Sequence, residues 1–109
     1  MEFNERLKQF IKLNFDSQTE YAVKLSIDSS LLNRYIKGNT KPDVKTLVRL
    51  YNSGLSIDWL LTGIGSMYAA NINGLILQLG VQSLLTDNLL KYYTENTKFP
   101  ANRNRSNKS

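Results

Sequence analysis

The stretch QTEYAVKLSIDSSLLNRYIKG, residues 18–38, holds two short runs of helical apolar spacing separated by a break at Ser26, Ile27 and Asp28. In the first run Tyr21, Ala22 and Leu25 fall on one side of a helix; in the second Leu32 and Tyr35 do. The opposite side of the second run carries Ser29, Ser30, Asn33 and Arg34. Two helices joined by so tight a turn hold a steep angle only if their crossing point is small and their inner faces are apolar. Ala22 supplies the small contact, and Leu25, Ile27, Leu32 and Tyr35 supply the apolar seam. Ser26 stands where the chain must reverse, a place where a left-handed backbone is expected and glycine is easiest. The second helix is therefore expected to be pinned from behind and to show a polar face. Its length suits the major groove of B-form DNA, where the first turns of such a helix meet base edges.

Outward from this pair, further helices follow. A first helix is expected over residues 4–14, with Leu7, Phe10, Ile11 and Leu13 at helical spacing and Asn4 as its cap. Ser17 and Glu20 have the spacing of a capping box for the next helix. Asp28 reads as the N-cap of the third helix and Gly38 as its C′ residue. Pro42 opens a fourth helix whose Val44, Leu47, Val48, Leu50 and Tyr51 are expected to face the core. Ser56 caps a short fifth helix bearing Ile57, Trp59, Leu60 and Leu61, ended by Thr62 and Gly63. Trp59, set among aliphatic residues, reads as core rather than as a stacking platform. Asp43 and Asp58 read as first-turn acids rather than as a metal pair. No stretch alternates with a period of two for long enough to make a strand, so the fold class is all-α.

After residue 68 the texture changes. Residues 69–73 look like a joint, and residues 72–93 are unusually rich in leucine, with Gly80 as either a kink or the bend of a helical hairpin. From residue 97 onward Asn, Ser, Lys and Arg dominate, and a disordered basic tail is expected over 97–109. Residues 1–68 thus read as one domain and 69–96 as a helical dimerisation segment. Leu75, Ile76, Leu79, Leu84, Leu85, Leu89, Tyr92 and Tyr93 are its candidate interface, because a domain complete at residue 68 would leave them uncovered without a second copy.

Charge and chemistry narrow the function. The chain of 109 residues carries a net charge of +5 and contains neither histidine nor cysteine. Disulfides, thiolate metal sites and histidine-based acid–base catalysis are thereby excluded, and nothing implies a cofactor. Six basic residues against two acidic ones over residues 24–49, together with the basic tail, suit a polyanionic partner. The opening MEFNERLKQF is charged and amphipathic rather than a signal peptide, and no apolar run is long enough to cross a membrane. A cytoplasmic location is the expectation.

At this point a resemblance enters. Gln18, Ala22, Ser26, Ile27, Leu32, Arg34 and Gly38, followed by NTKP at 39–42, resemble the helix-turn-helix of the Cro and phage-repressor (XRE-type) family. SIDWLLTGIGSMY, residues 56–68, is similar to the segment that closes the domain in many phage repressors. The resemblance covers about residues 6–68 and implies a five-helix, lambda-repressor-like domain followed here by a C-terminal helical segment. It further implies that Gln18 contacts a phosphate and often braces the first base-reading residue, and that Ser29 and Ser30 reach base edges. Asn33 and Arg34 would form the next outward turn, with Arg34 gripping a guanine edge or a phosphate, and Lys37, Asn39, Thr40 and Lys41 would clamp the sugar-phosphate backbone. Ser26 departs from the usual glycine. Many such repressors continue into a self-cleaving peptidase domain, in whose place this chain has its leucine-rich segment. The function so implied is a repressor, not an enzyme, that binds a double-stranded, palindromic operator as a homodimer, with an antirepressor or other protein at the C-terminal helices as a switch. A protein-interaction adaptor or an antitoxin acting through those helices is the alternative.

Overall fold

The computed structural model describes the backbone of residues 1–97 and the side chains of residues 1–92. The basic tail beyond residue 97 and the side chain of Tyr93 lie outside the described residues. Six helices follow in order: α1 (Phe3–Asn14), α2 (Gln18–Leu25), α3 (Ser29–Lys37), α4 (Val44–Asn52), α5 (Ile57–Thr62) and α6 (Ile72–Thr97). Among the described residues there is no strand. One isolated antiparallel bridge joins Leu55 to Tyr68, flanked by bonds from the Ser56 N–H to the Met67 carbonyl and from the Ala69 N–H to the Gly54 carbonyl. No described helix is long and apolar enough to cross a membrane.

The chain divides into two compact units, Met1–Leu79 and Gly80–Ser109. The first holds the core: Leu7, Phe10, Tyr21, Leu32, Leu50, Leu55 and Leu60 are fully buried. Phe10 meets Tyr21 edge-on at 5.9 Å, an arrangement the ring quadrupoles favour. The Ser53 hydroxyl donates to the Leu50 carbonyl at 2.6 Å, which leaves its oxygen to accept from the Tyr21 hydroxyl at 2.7 Å. Burial raises the Tyr21 phenol far above its ordinary value, so it stays a neutral donor. Trp59 is buried, as its neighbours suggest.

Several elements differ from the sequence reading. Helix α1 begins at Phe3, where the Glu5 carboxylate accepts from the Glu2 N–H at 2.8 Å. Asn4 lies inside the helix and instead donates from Nδ2 to the Ile36 carbonyl at 3.3 Å, tying α1 to α3. Leu13 and Leu61 are exposed. Ser17 accepts from the Glu20 N–H at 3.0 Å, but the Glu20 carboxylate reaches back to the N–H of Asp16 rather than to that of Ser17. Asp28 occupies the N-cap of α3 without a side-chain cap bond. In α4 only Thr46 and Leu50 are buried, while Val44 and Val48 are 76 % and 53 % exposed and Tyr51 is exposed as well. A nine-residue helix that buries one edge cannot cover a stripe as wide as its sequence offers. Helix α6 runs through Gly80 unbroken, so neither a hairpin nor a second element forms there. Glycine inside a helix costs about 1 kcal/mol relative to alanine, a bias that neighbouring helix formers overcome.

The first unit also reaches beyond Tyr68. Asn71 and Asn73 donate from Nδ2 to the carbonyls of Tyr51 and Asn52 at 2.8 and 2.6 Å, satisfying the exposed end of α4. Gly54 and Gly74 meet backbone to backbone there. A Cβ on Gly54 would lie 2.9 Å from the Gly74 nitrogen, and one on Gly74 would overlap the Ala69 carbonyl outright. Leu77 then packs against the core.

Candidate nucleic-acid interface

Helix α3 is held from behind by Leu32, Tyr35 and Ile36, all buried, with Leu31 and Ile27 packed against the same core. That seam fixes which side faces out. Ser29, Ser30, Arg34 and Lys37 are exposed on it, and Asn33 is half-buried at its edge. From Ser29 to Arg34 the helix rises about 7–8 Å, enough to span two or three base pairs in a groove.

The turn that sets the angle of α3 rests on Ser26, whose φ of 58° is left-handed and unique among non-glycine residues described. Arg49 of α4 grips this turn: its Nη1 donates to the Ser26 carbonyl at 2.9 Å and to the Leu25 carbonyl at 3.3 Å. Arg49 belongs to the basic zone over residues 24–49. Its guanidinium is instead spent on the end of α2, where a cation also suits the helix dipole. Only the missing glycine at position 26 hints at the need for such a clamp.

Gln18, at the start of α2, donates from Nε2 to Asn33 Oδ1 at 3.3 Å. This bond joins the first turn of α2 to the middle of α3 and orients the Asn33 amide. It braces Asn33, not the serines at the start of the helix. Beyond α3 the chain turns at Gly38, and the Asn39 N–H bonds the Arg34 carbonyl at 2.9 Å. Asn39 and Lys41 are exposed and Thr40 is half-buried. The Lys41 ammonium sits 5.7 Å above the Phe3 ring, a cation–π contact that steadies the loop against α1. The structure thus joins Gln18 to Asn33 directly and carries Ser29, Ser30, Arg34 and Lys37 on the same helix, with Asn39, Thr40 and Lys41 in the loop that leaves it.

Nothing in the sequence pattern singles out Arg6. It is buried, and it donates from Nε to the Leu60 carbonyl at 2.8 Å, from Nη2 to the Leu61 carbonyl at 3.2 Å and from Nη1 to the Met1 carbonyl. Its role is to close the end of α5 and fix the start of the chain. Among the described residues no group of three or more acidic side chains could hold a metal ion.

The candidate dimerisation residues are exposed wherever described: Leu75, Ile76, Leu79, Leu84, Leu85, Leu89 and Tyr92. Compared with protein-family models, curated proteins and solved structures, the chain gives no significant match.

Proposed function

We propose that this chain is a sequence-specific DNA-binding regulator of transcription, of the helix-turn-helix kind seen in phage repressors. It binds a palindromic operator as a homodimer. The observation that carries the reading is the outward face of α3: Ser29, Ser30 and Arg34 exposed on a helix whose other side is sealed by Leu32, Tyr35 and Ile36. A buried seam behind an exposed polar row makes a rigid probe, and rigid probes lose little entropy on binding. Lys37 and Lys41 beside it supply phosphate contacts, which position without specifying. Exposed leucines along α6 support association of two copies, which would place two probes on half-sites about 34 Å apart. Covering a promoter in this way represses it. The lack of histidine and cysteine suits a binding protein better than an enzyme.

Selection of bound duplexes from a random pool tests the reading, followed by measurement with Ser30→Ala and Arg34→Ala combined. Loss of a bidentate base contact costs about 1–3 kcal/mol, so affinity for the selected site should fall at least about fivefold while non-specific binding persists. Equal binding of wild type and variant, or an affinity nearly independent of salt, overturns it. The same exposed leucines also fit a second reading, an adaptor or antitoxin whose partner is a protein. Capture of a partner through α6 by a chain that retains no duplex would select that reading.

A further inference from the structure

Helix α1 presents a second basic surface that none of the residues above includes. Lys8 and Lys12 stand one turn apart on the same side, both exposed, with Ile11 between them and Phe15 at the end of the stripe. This stripe lines a surface hollow of about 220 Å³ together with Ser17 and Gln18 at the start of α2. Ile36, at the last turn of α3, lies in the same hollow. Gln18 and Ile36 tie it to the α3 probe: Gln18 bonds Asn33, and the Ile36 carbonyl accepts from Asn4 on the same helix as the lysines. Its lining includes the apolar Ile11, Phe15 and Ile36, the two lysines and one acid, Asp16, whose N–H donates to the Glu20 carboxylate at 2.9 Å.

A lining of apolar side chains and two lysines matches a sugar-phosphate strand: deoxyribose carbons would meet the apolar residues, and phosphate oxygens the ammonium groups and the Gln18 amide. We infer that Lys8 and Lys12 form a phosphate-binding ledge on α1 that holds the duplex backbone flanking the groove occupied by α3. The inference rests on the duplex-binding reading and extends its footprint beyond the recognition helix and its following loop. Such contacts carry affinity and salt dependence but no base preference.

The test uses the full chain, a selected duplex and a titration of salt. Lys8→Gln combined with Lys12→Gln should weaken binding about tenfold or more near 0.1 M salt and lower the slope of log K against log salt by about two, with the base preference unchanged. Lys8→Arg combined with Lys12→Arg should retain the wild-type slope, which separates loss of charge from loss of fold. Asp16→Asn should tighten binding by removing a carboxylate from the lining of the hollow. An unchanged slope in the glutamine variant, with wild type still binding, overturns the ledge alone. A changed base preference overturns it too, since the lysines would then be reading bases. If the wild-type chain binds no duplex at any salt, the DNA-binding reading itself falls and the ledge falls with it.

Discussion

Helix α3 and the part of α6 beyond Gly80 are both rich in leucine, yet they are opposites. In α3 every large apolar side chain turns inward, and Leu32, Tyr35 and Ile36 are buried under a row of serine, asparagine and arginine. Beyond Gly80 the leucines point every way, and Leu84 and Leu85 are both 64 % exposed. A helix whose two faces differ carries its own instruction for which side to hide. One whose leucines are interspersed with polar residues such as Gln82, Ser83, Thr86, Asp87 and Asn88 on every side carries none. The contrast is one of orientation: α3 is oriented by its own chain, whereas the leucines of the later part of α6 stay exposed.

The sharpest way to break this contrast is a matched pair of truncations. Leu32→Ala removes a fully buried side chain and should cost about 2–5 kcal/mol of unfolding free energy, abolishing duplex binding along with the fold. Leu85→Ala should leave the stability of the isolated chain within about 0.5 kcal/mol while weakening self-association. Denaturant melts at low protein concentration, paired with sedimentation, decide it: equal losses at the two positions would erase the distinction. A smaller effect sharpens the account of how α3 is oriented. Ser26→Gly relieves a left-handed serine and should stabilise the chain by about 0.5–1 kcal/mol, net of the extra freedom glycine gives the unfolded state. Destabilisation would mean that the freedom glycine adds to the unfolded chain outweighs the strain at Ser26.

The smallest effect concerns pH. Hydrogen bonds from the Thr46 side chain and then its backbone N–H hold the Asp43 carboxyl below its ordinary value near 3.8. A carboxyl with a lowered folded value adds stability that is present above the unfolded value and lost as pH falls through the folded one. Asp43→Asn keeps an N-cap acceptor but cannot titrate, so its stability should fall less steeply than that of wild type below about pH 4. Superimposable acid limbs would show that the cap does not contribute to acid sensitivity.

How much of this was legible in the sequence depended on whether a residue's partner lay nearby. The order of the helices, the turn at Ser26 and the inward set Tyr21, Ala22, Leu25, Leu32 and Tyr35 follow from spacing alone. The outward position of Ser29, Ser30 and Arg34 follows from that inward set. The exposure of Val44, Val48 and Tyr51 is not legible, because periodicity marks a stripe but does not say how wide a neighbour will meet it. Gly80 was ambiguous because a glycine weakens a helix without ending it. Long-range partners were illegible: the carbonyls that Arg6 and Arg49 serve lie far along the chain, as does the Lys8 and Lys12 hollow, which needs α1, α2 and α3 packed together.

The bare meeting of Gly54 with Gly74 has a practical consequence for trimming this protein. With no side chain at the crossing, the seam cannot be refilled by repacking, and the amides of Asn71 and Asn73 that cover the end of α4 enter with it. The shortest piece that keeps its fold should therefore stop near Leu79; one shortened to Tyr68 would fray from the fourth helix inward.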